Sequence, residues 1–203
     1  MSQPSSTEIV GELESLRVEI WNRALHAFGT AYIFEDRARR FKRRLKWLNF
    51  VALAVPLLVG GLALSYGIGL PFLGLIVTAG ATVGLVQLAF SAWSVSSGWV
   101  ESYGYAVTSL ADNQRLAQDL KELASNRSLD IDSLRNRYEV LKALDNARSA
   151  QDSGQNIEDQ EKRMGMRASL RERRLSCAGC EMVPTSMNPS DCDVCGNFKL
   201  RKF

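Results

Sequence analysis

The chain has 203 residues, enough for one or two domains, and its 25 basic and 22 acidic side chains leave a net charge of only +3. That balance hides a sharp division: Trp47 to Val100 is a run of 54 residues without Asp, Glu, Lys or Arg, so all 47 ionised side chains lie in the flanks. A soluble core helix seldom needs more than about 14 such positions and a bilayer crossing takes about 20, so the run suits two crossings and excludes three. It also begins too late, and after too much charge, for a cleaved signal peptide. The single histidine, His26, has no visible companion for a triad or a metal site.

Taken in chain order, the first element is a long helix. Ile9, Leu13, Leu16, Ile20, Ala24, Ala27, Ala31, Phe34, Ala38, Phe41, Leu45 and Leu48 recur by threes and fours, a seam at coiled-coil spacing with one stutter after Ile20. The seam can pack on a helix of its own chain or between protomers. Gly29 lies off it and weakens the helix by roughly 1 kcal/mol. Arg37, Arg39, Arg40, Lys42, Arg43, Arg44 and Lys46 then crowd the entrance to the uncharged run.

The first span is expected from Trp47 to about Tyr66, with a kink at Pro56. Residues 67–71 form the turn, and the second span runs from about Phe72 to Gly98. So short a connection makes the spans antiparallel neighbours. Basic residues gather on the cytoplasmic side of a bilayer, which puts both termini in the cytoplasm of a multi-pass inner-membrane protein. Tyr66 at one end and Trp47, Trp93 and Trp99 at the other suit the two interfaces.

Beyond the spans the chain stays helical through Tyr103, Ala106, Leu110, Asn113, Ala117, Leu120 and Ala124. After a break at 125–130, Asp130 caps a helix with Ile131, Leu134, Tyr138, Leu141 and Leu144 on one face. Residues 151–156 read as a linker around Gly154. A weakly helical basic segment, 157–175, carries Lys162, Arg163, Arg167, Arg171, Arg173 and Arg174. With Lys199, Arg201 and Lys202 it invites nucleic acid, but a solvated helix beside an anionic membrane is the favoured reading. The expected fold class is an all-α membrane protein: cytoplasmic amphipathic helix 1–46, two-span transmembrane hairpin 47–100, cytoplasmic helical extension 101–150, linker and basic helix 151–175, and small zinc ribbon 176–203.

Two constellations carry chemistry. Gly80, Gly84, Gln87, Ser91, Ser94 and Gly98 share one face of the second span, and Gly80 with Gly84 makes a GxxxG pair for close backbone approach. An unpartnered Gln87 amide is costly at mid-bilayer, so the stripe faces either the first span or other protomers around a water-filled path. Two spans enclose no channel, so any pore is an oligomer. The second constellation is Cys177, Cys180, Cys192 and Cys195, two CxxC knuckles eleven residues apart. Two thiolates from each knuckle complete the tetrahedron that zinc prefers, and four protein ligands close the site, making a Zn2+ ion there structural. A cytoplasmic location disfavours disulfides. Gly196 fits the turn leaving the second knuckle. No catalytic dyad or phosphate loop is visible, so an enzyme is not expected.

A basic helix entering a two-span hairpin, with a long helical extension after it, resembles the SLATT family of prokaryotic membrane effectors over residues 8–150. The Cys177-x2-Cys180-x11-Cys192-x2-Cys195 pattern is similar to a zinc-ribbon group of mobile elements named for that spacing. These resemblances imply an oligomeric pore-forming or membrane-disrupting effector in anti-phage conflict, with a sensor or nucleotide-signal enzyme as partner. The alternative is a membrane-tethered zinc-ribbon adaptor that recruits protein or nucleic acid. A phage-type lysis protein is disfavoured by the large cytoplasmic part.

Overall fold

A computed structural model describes residues 6–66 and 72–199. The expected turn at 67–71, and Arg201 and Lys202, lie outside the described residues. Five helices form among those described, with no strand: α1 (Ser6–Tyr66), α2 (Leu73–Ser96), α3 (Trp99–Ser125), α4 (Ile131–Ser153) and α5 (Asp159–Arg173). They divide into two compact units. Residues up to Asp36 join those from Val107 onward in a helical unit, and Arg37–Ala106 make an apolar unit.

The helical unit is built on the α1 seam. Ile20 and Ala24 are fully buried with Leu120, Leu123 and Ala124 of α3 and Leu134 and Tyr138 of α4, while Ala27 packs with Leu116 and Ala117. The small side chains of the successive seam positions Ala24 and Ala27 let α3 approach closely, so this stretch of the seam is satisfied within one chain. Arg17, itself buried, donates to the carbonyl of Ala124 at 2.8 Å and places its charge at the negative end of α3. Asp130 caps α4 as expected, accepting from the Ser133 amide at 3.3 Å.

The apolar face of α4 ends sooner than its spacing suggests. Leu144 is 54% exposed, and polar groups continue the inward face in its place. Arg148 donates to Asp152 at 2.8 Å and to Asp112 at 2.9 Å, and the Asp152 carboxylate accepts from Ser109 and Asn113 at 2.8 Å each. Arg148, Asp152, Ser109 and Asn113 are all buried. Every member is partnered, the condition under which buried charge is tolerated. This network carries α4 on to Ser153, through residues whose polarity reads as a linker.

α5 is a well-bounded helix. Glu158 and Glu161 form a capping box at its start. At its end Arg174 adopts a left-handed conformation, and the Leu175 amide reaches back to the Leu170 carbonyl at 2.9 Å. α5 crosses α1 at two glycines. A Cβ on Gly29 would stand 2.8 Å from the Ser169 hydroxyl oxygen, and one on Gly165 would stand 2.7 Å from the Gly29 carbonyl. The Ser169 hydroxyl donates to the Leu25 carbonyl at 2.9 Å. Gly29 lies off the seam, as expected, and is the contact point of a helix crossing on a second buried face of α1 that the seam periodicity does not report.

In the apolar unit α1 and α2 run antiparallel, since Gly80 meets Val59 while Gln87 meets Leu48. α1 passes Pro56 as one continuous helix. The 24 residues of α2 would be about 36 Å long at helical rise, against about 30 Å of bilayer hydrocarbon. Both helices are long and apolar enough to cross a membrane, and no residue in their most apolar stretches is buried. Leu53, Leu57, Leu75, Leu88 and Trp93 are each more than half exposed. A core helix of a soluble protein would cover such side chains. Gly98 breaks the chain between α2 and α3 with φ +61°, where a β-carbon is disfavoured, so the helical path is interrupted there.

Candidate metal centre

The four cysteines lie on two turns that repeat each other. Glu181 donates its amide to the Cys177 carbonyl, and Gly196 to that of Cys192, at 2.8 Å in both. The amides of Gly179 and Val194 each point at the first sulfur of their own knuckle from 3.4 Å. No strand forms among the described residues of this module; turns alone carry it. Two glycines are required by space. A Cβ on Gly179 would stand 2.6 Å from the Val194 side chain, and one on Gly196 would overlap the backbone of Ser190. Gly196 has ordinary φ, whereas Glu181 and Asn197 take the left-handed conformation that turns the chain after each knuckle. Gly196 thus sits in the turn that leaves the second knuckle, and Asn197 adds the left-handed conformation after it.

The sulfurs of all four cysteines lie within 4.8 Å of one another. Cys177 and Cys192 are 3.8 Å apart, as are Cys180 and Cys195. Disulfide sulfurs would be about 2.05 Å apart. Sulfurs each about 2.3 Å from a tetrahedral zinc are about 3.8 Å apart, so the arrangement fits a four-thiolate metal centre and not two bridges. The backbone amides of Cys195 and Val194, then the neighbouring sulfurs of Cys180 and Cys177, bring the Cys192 thiol down to about 6. Burial, then the three neighbouring sulfurs, pushes Cys195 up. A divalent ion would take all four as thiolates, leaving a net charge of about −2.

α5 answers that charge. Arg167 donates to the carbonyls of Ser186 at 2.8 Å and Cys195 at 3.2 Å, and its guanidinium stands 3.8 Å from the Cys195 sulfur. Arg163 holds the second knuckle through the carbonyls of Asp193 at 2.9 Å and Asn197 at 3.2 Å. Leu170 is buried with Cys177 and Cys195 while Met166 packs alongside. Arg173 lies over the ring of Trp21 at 4.6 Å. Arg163, Arg167 and Arg173 of the basic run therefore serve the chain's own packing, while Lys162, Arg171 and Arg174 stay exposed. The i, i+4 spacing of Arg163 and Arg167 was visible in the sequence; the carbonyls they reach were not.

Of the six stripe residues, Gly80 and Gln87 meet α1. Ser94 is buried and Gly80, Gly84, Gln87, Ser91 and Gly98 are half-buried. A Cβ on Gly80 would stand 2.7 Å from Val59, and Gln87 donates to the Leu48 carbonyl at 3.3 Å, whereas a Cβ on Gly84 would meet nothing within 4 Å. In the basic cluster Arg39, Lys42, Arg43, Arg44 and Lys46 are exposed, and Arg37 and Arg40 are half-buried.

Fold and site together define an all-helical protein with two exposed apolar helices and a C-terminal four-cysteine centre able to hold a metal. Residues 17–198 match the family described as mobilome CxxCx(11)CxxC protein, and the chain belongs to that family. The match extends far beyond the cysteine pattern, so the family includes the helices as well as the knuckles. Comparison with curated proteins and with solved structures finds no match.

Proposed function

We propose that this protein is a membrane-inserted effector carried by mobile elements, with α1 and α2 spanning the inner membrane, both termini cytoplasmic, and Zn2+ held by Cys177, Cys180, Cys192 and Cys195. The observation that carries this reading is the continuity of α1 from Ser6 to Tyr66, gripped at Gly29 by α5, which in turn holds the metal centre. An anchor needs only a tether. A direct helical path from a docking module into the apolar segment suits transmission of a signal that favours one assembly state over another. The SLATT-like architecture points the same way, toward oligomers that open or disrupt the membrane when a sensor reports infection.

The second reading, a passive anchor for a metal-bearing adaptor, is favoured by one feature: Gly80 and Gln87 of the α2 stripe meet α1, while apolar side chains such as Leu75, Leu85 and Leu88 are exposed. Nucleic acid is the weaker recruit, because Arg163 and Arg167 spend their N–H groups on the module's own carbonyls.

Dye entry and membrane potential in bacteria expressing the protein separate the readings. The comparison is a variant, matched in level, whose residues 47–100 are exchanged for an unrelated two-span hairpin. The effector reading expects depolarisation by the natural hairpin only. Absence of depolarisation by either protein, with partner genes and phage supplied, would leave the anchor.

A further inference from the structure

We propose that the apolar unit holds an anionic phospholipid in a cleft between α1 and α2, with its phosphate on Arg44 and an acyl chain along the cleft. This rests on the membrane reading above. The cleft has a volume of about 300 Å3, at the lower end of ligand cavities. Its walls are almost wholly apolar, with Val83, Val86 and Phe90 on the α2 side and Trp47 and Trp99 at the end that Arg44 occupies. Such a space offers nothing to a polar metabolite along its length and suits a hydrocarbon chain.

The charge at its mouth selects the headgroup. The Arg44 guanidinium lies 5.4 Å from the centre of the Trp99 ring and 5.9 Å from that of Phe41. Among the described residues no carboxylate pairs with it. Attraction to the two ring faces holds the guanidinium at the cleft mouth while leaving its N–H groups for an oxygen acceptor. Tryptophan and arginine gather at the level of lipid headgroups, and basic pockets between spans on the cytoplasmic side take anionic head groups. Arg44 is thus a headgroup ligand within a cluster whose other members serve orientation.

The test uses the full-length protein with Trp93→Phe, which removes the tryptophan of α2, in phosphatidylcholine vesicles. Phosphatidylglycerol or phosphatidylcholine with brominated chains is added, and quenching of tryptophan fluorescence reports a chain in the cleft beside Trp47 and Trp99. Brominated phosphatidylglycerol should quench at about fivefold lower mole fraction, the equivalent of the roughly 1 kcal/mol that one cation gains at an anionic surface. Arg44→Gln should abolish that preference, and Val86→Phe, which fills the cleft, should weaken quenching by both lipids. Equal quenching by the two lipids, or an undiminished preference in Arg44→Gln, would reduce the contact to ordinary surrounding lipid and overturn the site. Loss of the preference on adding inorganic phosphate would assign Arg44 to a free anion and overturn it also. Failure of the protein to sediment with any vesicle would instead overturn the membrane reading beneath it.

Discussion

Arg167 is the side chain that ties the metal centre to the rest of the molecule. It joins the Ser186 and Cys195 carbonyls and sets a positive charge beside a cluster that gains negative charge when a metal binds. Groups that orient and balance metal ligands are commonly worth 10–100-fold in affinity, so Arg167→Ala should weaken zinc binding by about that factor in a competition titration with a chromophoric chelator. Tyr138 ties α4 to α1. It is 1% exposed, its hydroxyl donates to Glu19 at 2.5 Å, and it accepts from Arg23 at 2.7 Å. Burial, then the hydrogen bond to Glu19, raises its hydroxyl to about 12 against the opposing pull of Arg23. Because the folded state keeps the proton that the unfolded chain releases, stability is complete below about pH 10 and falls as pH rises toward 12, by up to ~2–3 kcal/mol. Thermal unfolding at pH 8 and pH 11 should show this loss, and Tyr138→Phe should remove most of the difference.

Among the elements, α5 has two working faces. Gly165 and Ser169 meet α1, while Arg163, Met166, Arg167 and Leu170 meet the knuckles. A branched side chain at Gly165 has no room beside the Gly29 carbonyl. Gly165→Val should therefore cost roughly 1–3 kcal/mol and free α5 from α1, seen as faster amide exchange across Asp159–Arg173. The conservative Gly165→Ala should show the same change to a smaller degree, since its Cβ alone stands 2.7 Å from that carbonyl.

At the scale of the whole molecule the metal stabilises only a small part. Helices α1, α3 and α4 have their own apolar core, whereas the described residues of the knuckle module have turns and four sulfurs. Chelation should leave far-UV helicity and membrane sedimentation nearly unchanged while opening residues 176–198 to protease. Global unfolding on chelation would show instead that the metal is required for the helical core.

The sequence by itself determined the features that depend on local composition. An uncharged run of 54 residues has few physical alternatives to paired apolar helices, a seam by threes and fours implies a helix with one buried face, and two CxxC pairs bring four thiolates together. What only the tertiary structure decided was which surfaces meet. Gly29 reads as a weak point until Gly165 lies across it, and residues 151–156 read as a linker until Ser109 and Asn113 are found to bond Asp152. Basic residues look alike in sequence whether they face water, lipid or the chain's own carbonyls. Charge and periodicity report how a residue prefers to be solvated; the partner that satisfies it, often more than a hundred residues away, is fixed by packing.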